Sequence, residues 1–215
     1  MAWIEHLQPV NWFQAAGAVL GAYILGCFPT GYMLVRLRTG RDVRQSESGS
    51  TGARNVGRLL GRSGFVLTVL GDFGKGALAV WGVRAWTGNP QLAELAMLAA
   101  VAGHIWPAPL GFRGGKGAAT ALGALLVFDY RVALIFLVLF LGGWAMMRKT
   151  VLPGLFAFAC LPLAALWFDR DGRNATLMAA LAALILFAHR KNLVEEITGL
   201  SARREVLTKP ESPKL

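Results

Sequence analysis

GHIWPAPLGFRGGKGAAT, residues 103–120, separates two apolar blocks with two prolines, a histidine, two cations and glycines at 111, 114, 115 and 117. Pro107 and Pro109 lack the backbone donor a helix needs and end the helix that approaches them. The glycines and charges that follow belong at a watery edge, so the blocks on either side read as separate membrane helices. The rest of the chain agrees. Of 215 residues, 55% are hydrophobic and only 16% charged, whereas an ordinary soluble domain carries about 25% charge. Apolar blocks of about 18 residues or more match the span of a helix through hydrocarbon. The fold class is all-α, a polytopic integral membrane protein.

About seven transmembrane helices are expected, near 12–35, 63–86, 91–110, 117–129, 131–147, 151–168 and 174–188. The fourth is short, and only a full crossing there keeps the basic loops on one face. With seven spans, 17 of the 22 Lys and Arg residues fall on the side of loop 36–62, of Arg113 and Lys116, and of the C-terminal end. The opposite side receives Arg84, Arg131, Arg170 and Arg173, and Lys75 lies within a span. Positive loops face the cytoplasm, so the N-terminus is expected outside and the C-terminus inside. The net charge of +10 is explained by this bias and by anionic lipid, and nucleic acid is not implied as a partner. The first 11 residues contain Glu5 and no cation, so no basic signal-peptide start precedes the first block. Residues 1–200 form one transmembrane domain and 201–215 a polar cytoplasmic tail. Gly17 and Gly21 make a weak GxxxG contact motif, and Cys27 and Cys160 are expected to be small core residues.

Four polar patches gather on the cytoplasmic side. In residues 41–64, Ser48, Gly49, Ser50, Thr51 and Gly52 can turn backbone N–H groups toward an anion, with Asn55 following. Arg54, Arg58 and Arg62 recur every fourth residue, a cationic stripe if the segment is one helix. Asp72 and Lys75 share a helix face inside a span, where charges pair or line a polar cavity. The opening stretch sets Gly114, Gly115 and Gly117 around Arg113 and Lys116, with His104 one turn into the preceding helix. It is no nucleotide-hydrolysing P-loop, because Leu110 and Gly117 occupy the positions that need Gly and Ser or Thr. Last, His189 and Asn192 lie on one face at the end of the final span. Cations, glycine turns and amides without a metal-ligand cluster suit a polyanionic phosphate ester handled beside a lipid-like partner.

These patches, in order and spacing, resemble the bacterial membrane glycerol-3-phosphate acyltransferases that use acyl phosphate. The resemblance runs from Tyr23–Tyr32 to about Gly199. Its specific points are Gly103–His104, Pro107, Phe112–Gly117, Ala119–Thr120, Asp72–Gly76 and His189–Asn192. It implies acyl transfer from acyl phosphate to the 1-hydroxyl of sn-glycerol 3-phosphate, at the cytoplasmic side of the bacterial inner membrane, in the first step of phospholipid synthesis. The products are lysophosphatidic acid and inorganic phosphate, with no metal or other cofactor, acyl-CoA or carrier protein. It assigns catalysis to Ser48, Lys116 and His189. Phosphate binding falls to Gly49, Gly52, Asn55, Arg58, Gly114, Gly115, Gly117 and Asn192, supported by Asp72, Lys75, His104 and Arg113. Ser50, Arg54, Ala188 and Glu195 depart from the family pattern, which keeps a relative with another acceptor open. A transporter or binding protein for an organic phosphate is the other alternative. It would call for interrupted helices in matching halves, and none is visible.

Overall fold

The computed structural model describes residues 11–168 and 172–199. The tail expected at 201–215 and the expected outer cation Arg170 lie outside them, as does Glu5. Every regular element among the described residues is helical. The order is α1 (Trp12–Cys27), α2 (Thr30–Thr39), α3 (Ala53–Thr87), α4 (Pro90–Ile105), α5 (Ala118–Phe128), α6 (Tyr130–Met147), α7 (Val151–Ala159), α8 (Leu161–Phe168), α9 (Arg173–Ala188) and α10 (Arg190–Thr198).

The expected first span is α1 and α2 joined through Phe28–Pro29. Proline interrupts the hydrogen-bond ladder there, and the freed Phe28 carbonyl accepts a hydrogen bond from Lys75 Nζ at 2.7 Å. Within α3 a short helical segment from Ala53 precedes the expected second span, because Gly61 at φ 71°, ψ −162° leaves the helical region and breaks the ladder just before residue 63. That break also corrects the cationic stripe: Arg54 and Arg58 precede Gly61 and Arg62 follows it, so the three do not share one face. Among the described residues, five stretches are long and apolar enough to cross a membrane, and α9 with α10 as far as Glu196, bent by 66°, is a sixth if the pair is one broken span and not a re-entrant loop. At 11 residues, α5 is about 16 Å long, half of a hydrocarbon layer of about 30 Å. Local sequence sets the starts: Asn11, Asn89 and Asp129 each accept a first-turn N–H at the heads of α1, α4 and α6, as N-caps do.

Helices in a membrane gain little from burying apolar surface and associate instead through small residues that let backbones approach. Two crossings show this. On α1 and α4, a Cβ at Gly26 would strike the Ala100 carbonyl, and one at Gly103 the Tyr23 carbonyl. On α3 and α5, a Cβ at Gly76 would strike the Thr120 carbonyl, and one at Gly123 the Phe73 carbonyl. The GxxxG expected at Gly17 and Gly21 is not such a crossing: Gly17 faces the Trp86 ring and Gly21 faces open space. Cys27 is buried and Cys160 half-buried, both as free thiols. The starts of α3 and α5 line one cavity, at Ala53 and Ala118.

Candidate active site

One cavity of about 750 Å³ opens between α3, α5, α6 and α7, under the α9–α10 bend. Its head is polar and formed by Ser48, Ser50, Arg54, Asn55, Lys116, His189 and Asn192. Its remaining wall is apolar, with Phe65, Val69 and Phe73 from α3, Leu122 and Leu126 from α5, Phe136 and Phe140 from α6, and Leu155 and Phe158 from α7.

The loop around Lys116 is built against α4. Gly114 N–H donates to the Ile105 carbonyl and Gly115 N–H to the His104 carbonyl, both at 3.1 Å. Any side chain at Gly115 would overlap the His104 ring, and one at Gly114 the His104 carbonyl. The expectation that Gly114 and Gly115 cradle phosphate with their own N–H groups therefore fails: those donors are already used. A helix start lies one turn later. Gly117, at φ 81°, caps α5 without a side chain, and the first intrahelical bond runs from Ala121 N–H to Gly117 O at 2.7 Å. The N–H groups of Ala118 and Ala119 start the helix and both residues line the cavity. Such a start attracts anions.

Lys116 Nζ donates to Asn192 Oδ1, tying this loop to α10 across 76 positions. Burial lowers the Lys116 pKa, and the neighbouring Arg54 charge lowers it further, while Glu195 opposes both. His189 joins α9 to α10, with Nδ1 at 2.9 Å from the Ile185 carbonyl. A proton on Nδ1 makes that bond and leaves Nε2 as an acceptor. Burial lowers the His189 pKa, with smaller contributions from Lys116 and Arg54 in the same direction.

The first loop is held from several sides. Asn55 Nδ2 donates to the carbonyls of Val43, Ser46 and Ser50 at 2.9–3.2 Å, so this amide organises the loop rather than donating to a phosphate. Arg44 forks onto Asp42 at 2.7–3.2 Å and reaches the Leu110 carbonyl at 2.7 Å, joining the two loops. Arg58, expected on phosphate, is instead paired with Glu47 at 2.5 Å and stands off the cavity wall. Gly49, Arg113, Gly114, Gly115 and Lys75 are also off that wall, whereas Ser48, Gly52, Asn55, Asp72, His104, Lys116, Gly117, His189 and Asn192 are on it. Asp72 sits 3.0 Å from Lys75 Nζ and 3.5 Å from His104 Nδ1, with all three side chains nearly fully buried. This buried ion pair, with the His104 imidazole against it, lies between α3 and α4 directly behind the Gly114–Gly115 turn. The expected helix at 117–129 matches α5, but the free N–H groups at its start, the helix start at Ala53 and the apolar wall were not foreseen from the sequence. The glycine caps Gly52 and Gly117 were the available signal for the two helix starts.

A family model described as glycerol-3-phosphate acyltransferase matches residues 16–199. The chain belongs to the glycerol-3-phosphate acyltransferase family. Glycerol-3-phosphate acyltransferase 1 of Desulfitobacterium hafniense (strain Y51) is 46% identical over 186 residues, covering 86% of this chain and 92% of the relative. The glycerol-3-phosphate acyltransferase of Synechococcus sp. (strain JA-3-3Ab) is 40% identical over 194 residues, covering 89% and 94%. Two crystal structures of PlsY (YgiH), an integral membrane glycerol 3-phosphate acyltransferase, superpose on 86% of this chain and 92% of theirs. The glycerol 3-phosphate form gives a TM-score of 0.78 at 34% identity, and the lysophosphatidic acid form 0.76 at 31%. In this glycerol-3-phosphate acyltransferase the bend at Gly61, the α3–α5 glycine crossing and the Lys116–Asn192 bond converge on a single multi-pass membrane cavity.

Proposed function

We propose that this acyltransferase takes the fatty acyl group of an acyl phosphate and passes it to the 1-hydroxyl of sn-glycerol 3-phosphate, releasing lysophosphatidic acid and inorganic phosphate. One observation carries the reading. Two helix starts, at Gly52–Arg54 and at Gly117–Ala119, open onto a cavity whose other wall is apolar. Two anion seats suit two phosphates, and the apolar wall suits one acyl chain. The forms in which PlsY was crystallised, with glycerol 3-phosphate and with lysophosphatidic acid, support the same acceptor and product.

Acyl phosphate is a mixed anhydride with a good leaving group. The acceptor oxygen adds to the acyl carbon, the bond from that carbon to the phosphate oxygen breaks, and the hydroxyl proton passes to a base. His189 Nε2 and a substrate phosphate are the bases within this head region. Lys116 and the α5 start neutralise the leaving phosphate and the oxyanion that forms before it departs. Holding hydroxyl and carbonyl in register supplies much of the remaining acceleration. Ser48, at the rim, offers a hydroxyl to the same phosphates.

We propose that the protein resides in the bacterial inner membrane with seven crossings, the N-terminus outside and the cavity head on the cytoplasmic side. The Gly111–Gly117 loop folds back along the last turn of α4, which lets short α5 serve as the fourth crossing. The count of basic residues supports this orientation.

The test is phosphate release by purified protein in lipid with palmitoyl phosphate and glycerol 3-phosphate, against Lys116→Ala. Release that requires both substrates, yields lysophosphatidic acid and falls about 10- to 100-fold in kcat/KM in the variant, as loss of a charged hydrogen bond implies, is the expected result. A folded wild-type protein that releases no phosphate with this pair overturns the reading.

A further inference from the structure

We propose that Arg54 and Asn55 together form the acceptor seat: the Arg54 guanidinium clamps the phosphate of glycerol 3-phosphate, and Asn55 Oδ1 receives one of its hydroxyls. This rests on the acyl-transfer reading above and assigns one of its two anion seats.

Both residues lie on the cavity wall. Arg54 is exposed to that space and, among the described residues, has no hydrogen bond or ion pair. Its charge is felt instead by other cavity groups, Lys116 and His189. The other cation at the head, Lys116, is already bonded to Asn192, and Arg58 to Glu47. Arg54 is thus the cavity cation whose donors are uncommitted, and a planar guanidinium presents them as a fork that matches phosphate.

The neighbouring groups fit a polyol phosphate. Gly52 caps α3 without a side chain, and the first helical donors that find a carbonyl are Asn55 N–H and Val56 N–H, both to Gly52 O. The N–H groups of Ala53 and Arg54 remain for an anion at the helix start. Asn55 is 2% exposed. Its Nδ2 is used three times over by loop carbonyls, while its Oδ1 is buried without a partner. A buried acceptor of this kind is costly unless a donor arrives. A substrate hydroxyl is such a donor, whereas a fully ionised phosphate is not. Acyl phosphate carries no hydroxyl donor when ionised, so the pairing of a guanidinium with an amide acceptor selects the acceptor over the donor substrate. The donor phosphate is left to Lys116 and the α5 start.

Steady-state kinetics of Arg54→Gln and Arg54→Lys in lipid, each substrate varied with the other saturating, test the assignment. Arg54→Gln is expected to raise KM for glycerol 3-phosphate about 10- to 100-fold, with KM for palmitoyl phosphate and kcat within about twofold of wild type. Arg54→Lys is expected to recover part of the loss, which a merely structural role does not give, because charge without the fork is retained. Thermal unfolding matched to wild type establishes that both variants are folded. Unchanged KM for glycerol 3-phosphate in Arg54→Gln overturns the proposal, as does a rise confined to palmitoyl phosphate. In either case an active wild type leaves the acyl-transfer reading standing. A wild type inactive with both substrates removes that reading first.

Discussion

Gly123→Ala adds one methyl group to α5, and that methyl is expensive for catalysis. Its carbon would fall well inside contact distance of the Phe73 carbonyl on α3, which is backbone and has no rotamer to change. The helices must separate by on the order of 1 Å to relieve the overlap, at a stability cost of about 1–3 kcal/mol for overpacking. Alanine's better helix propensity offsets up to about 1 kcal/mol of that. The stability change is therefore small, while the geometric change is aimed at the site. Gly117 to Ala119 lie four to six residues away along α5, roughly 6–9 Å. Phe73 lines the same cavity as the α5 start and as the opposing seat at Gly52–Arg54, which lies beyond the Gly61 break, so separating the two helices moves the α5 seat relative to the α3 wall. A misplacement of about 1 Å costs on the order of 100-fold in a reaction that depends on alignment. The assay is lysophosphatidic acid formation in lipid, with thermal unfolding measured in parallel. Gly21→Ala is the control, because nothing lies within 4 Å of the added carbon. Gly123→Ala is expected to keep its fold and lose about 100-fold in kcat/KM; Gly21→Ala is expected to match wild type. A folded Gly123→Ala with unchanged kcat/KM would refute the claim that the α3–α5 crossing positions the α5 seat.

Two further outcomes follow from single groups. His189 has its pKa lowered from 6.5, so its imidazole is neutral and able to accept a proton at pH 7, and protonates only as pH falls through a value below 6.5. If it is the base, kcat/KM is flat at neutral pH and drops on that acid side, and His189→Gln loses the acid limb along with most activity. An acid limb that persists unchanged in His189→Gln assigns the proton to substrate phosphate instead. Asp72→Asn leaves the buried Lys75 ammonium with neutral acceptors and no counter-charge, and breaking a buried pair in this way costs about 3–5 kcal/mol. Asp72→Asn with Lys75→Met is expected to recover most of that loss in thermal unfolding, and strictly additive losses would show that the two are not coupled.

Much of this protein was legible locally. Apolar blocks, prolines and glycines mark where helices end, because hydrocarbon tolerates no unpaired backbone and these residues decide which backbone can pair. The spacing of Phe112–Gly117 and His189–Asn192 carried the family. What remained hidden was which groups meet. Lys116 bonds to Asn192 across 76 positions, and the Gly114 and Gly115 donors turn inward to α4. Arg58 pairs with Glu47. Glycines 76 and 123, and not 17 and 21, set the close crossings. The reason is physical. In water, a helix announces its buried face by contrast between polar and apolar residues. In lipid the outside is as apolar as the inside, so that contrast vanishes and contact is decided by small residues and shape. Sequence alone therefore determined the helices, their class and the residue types at their ends. Packing decided which two helix starts would line a single cavity.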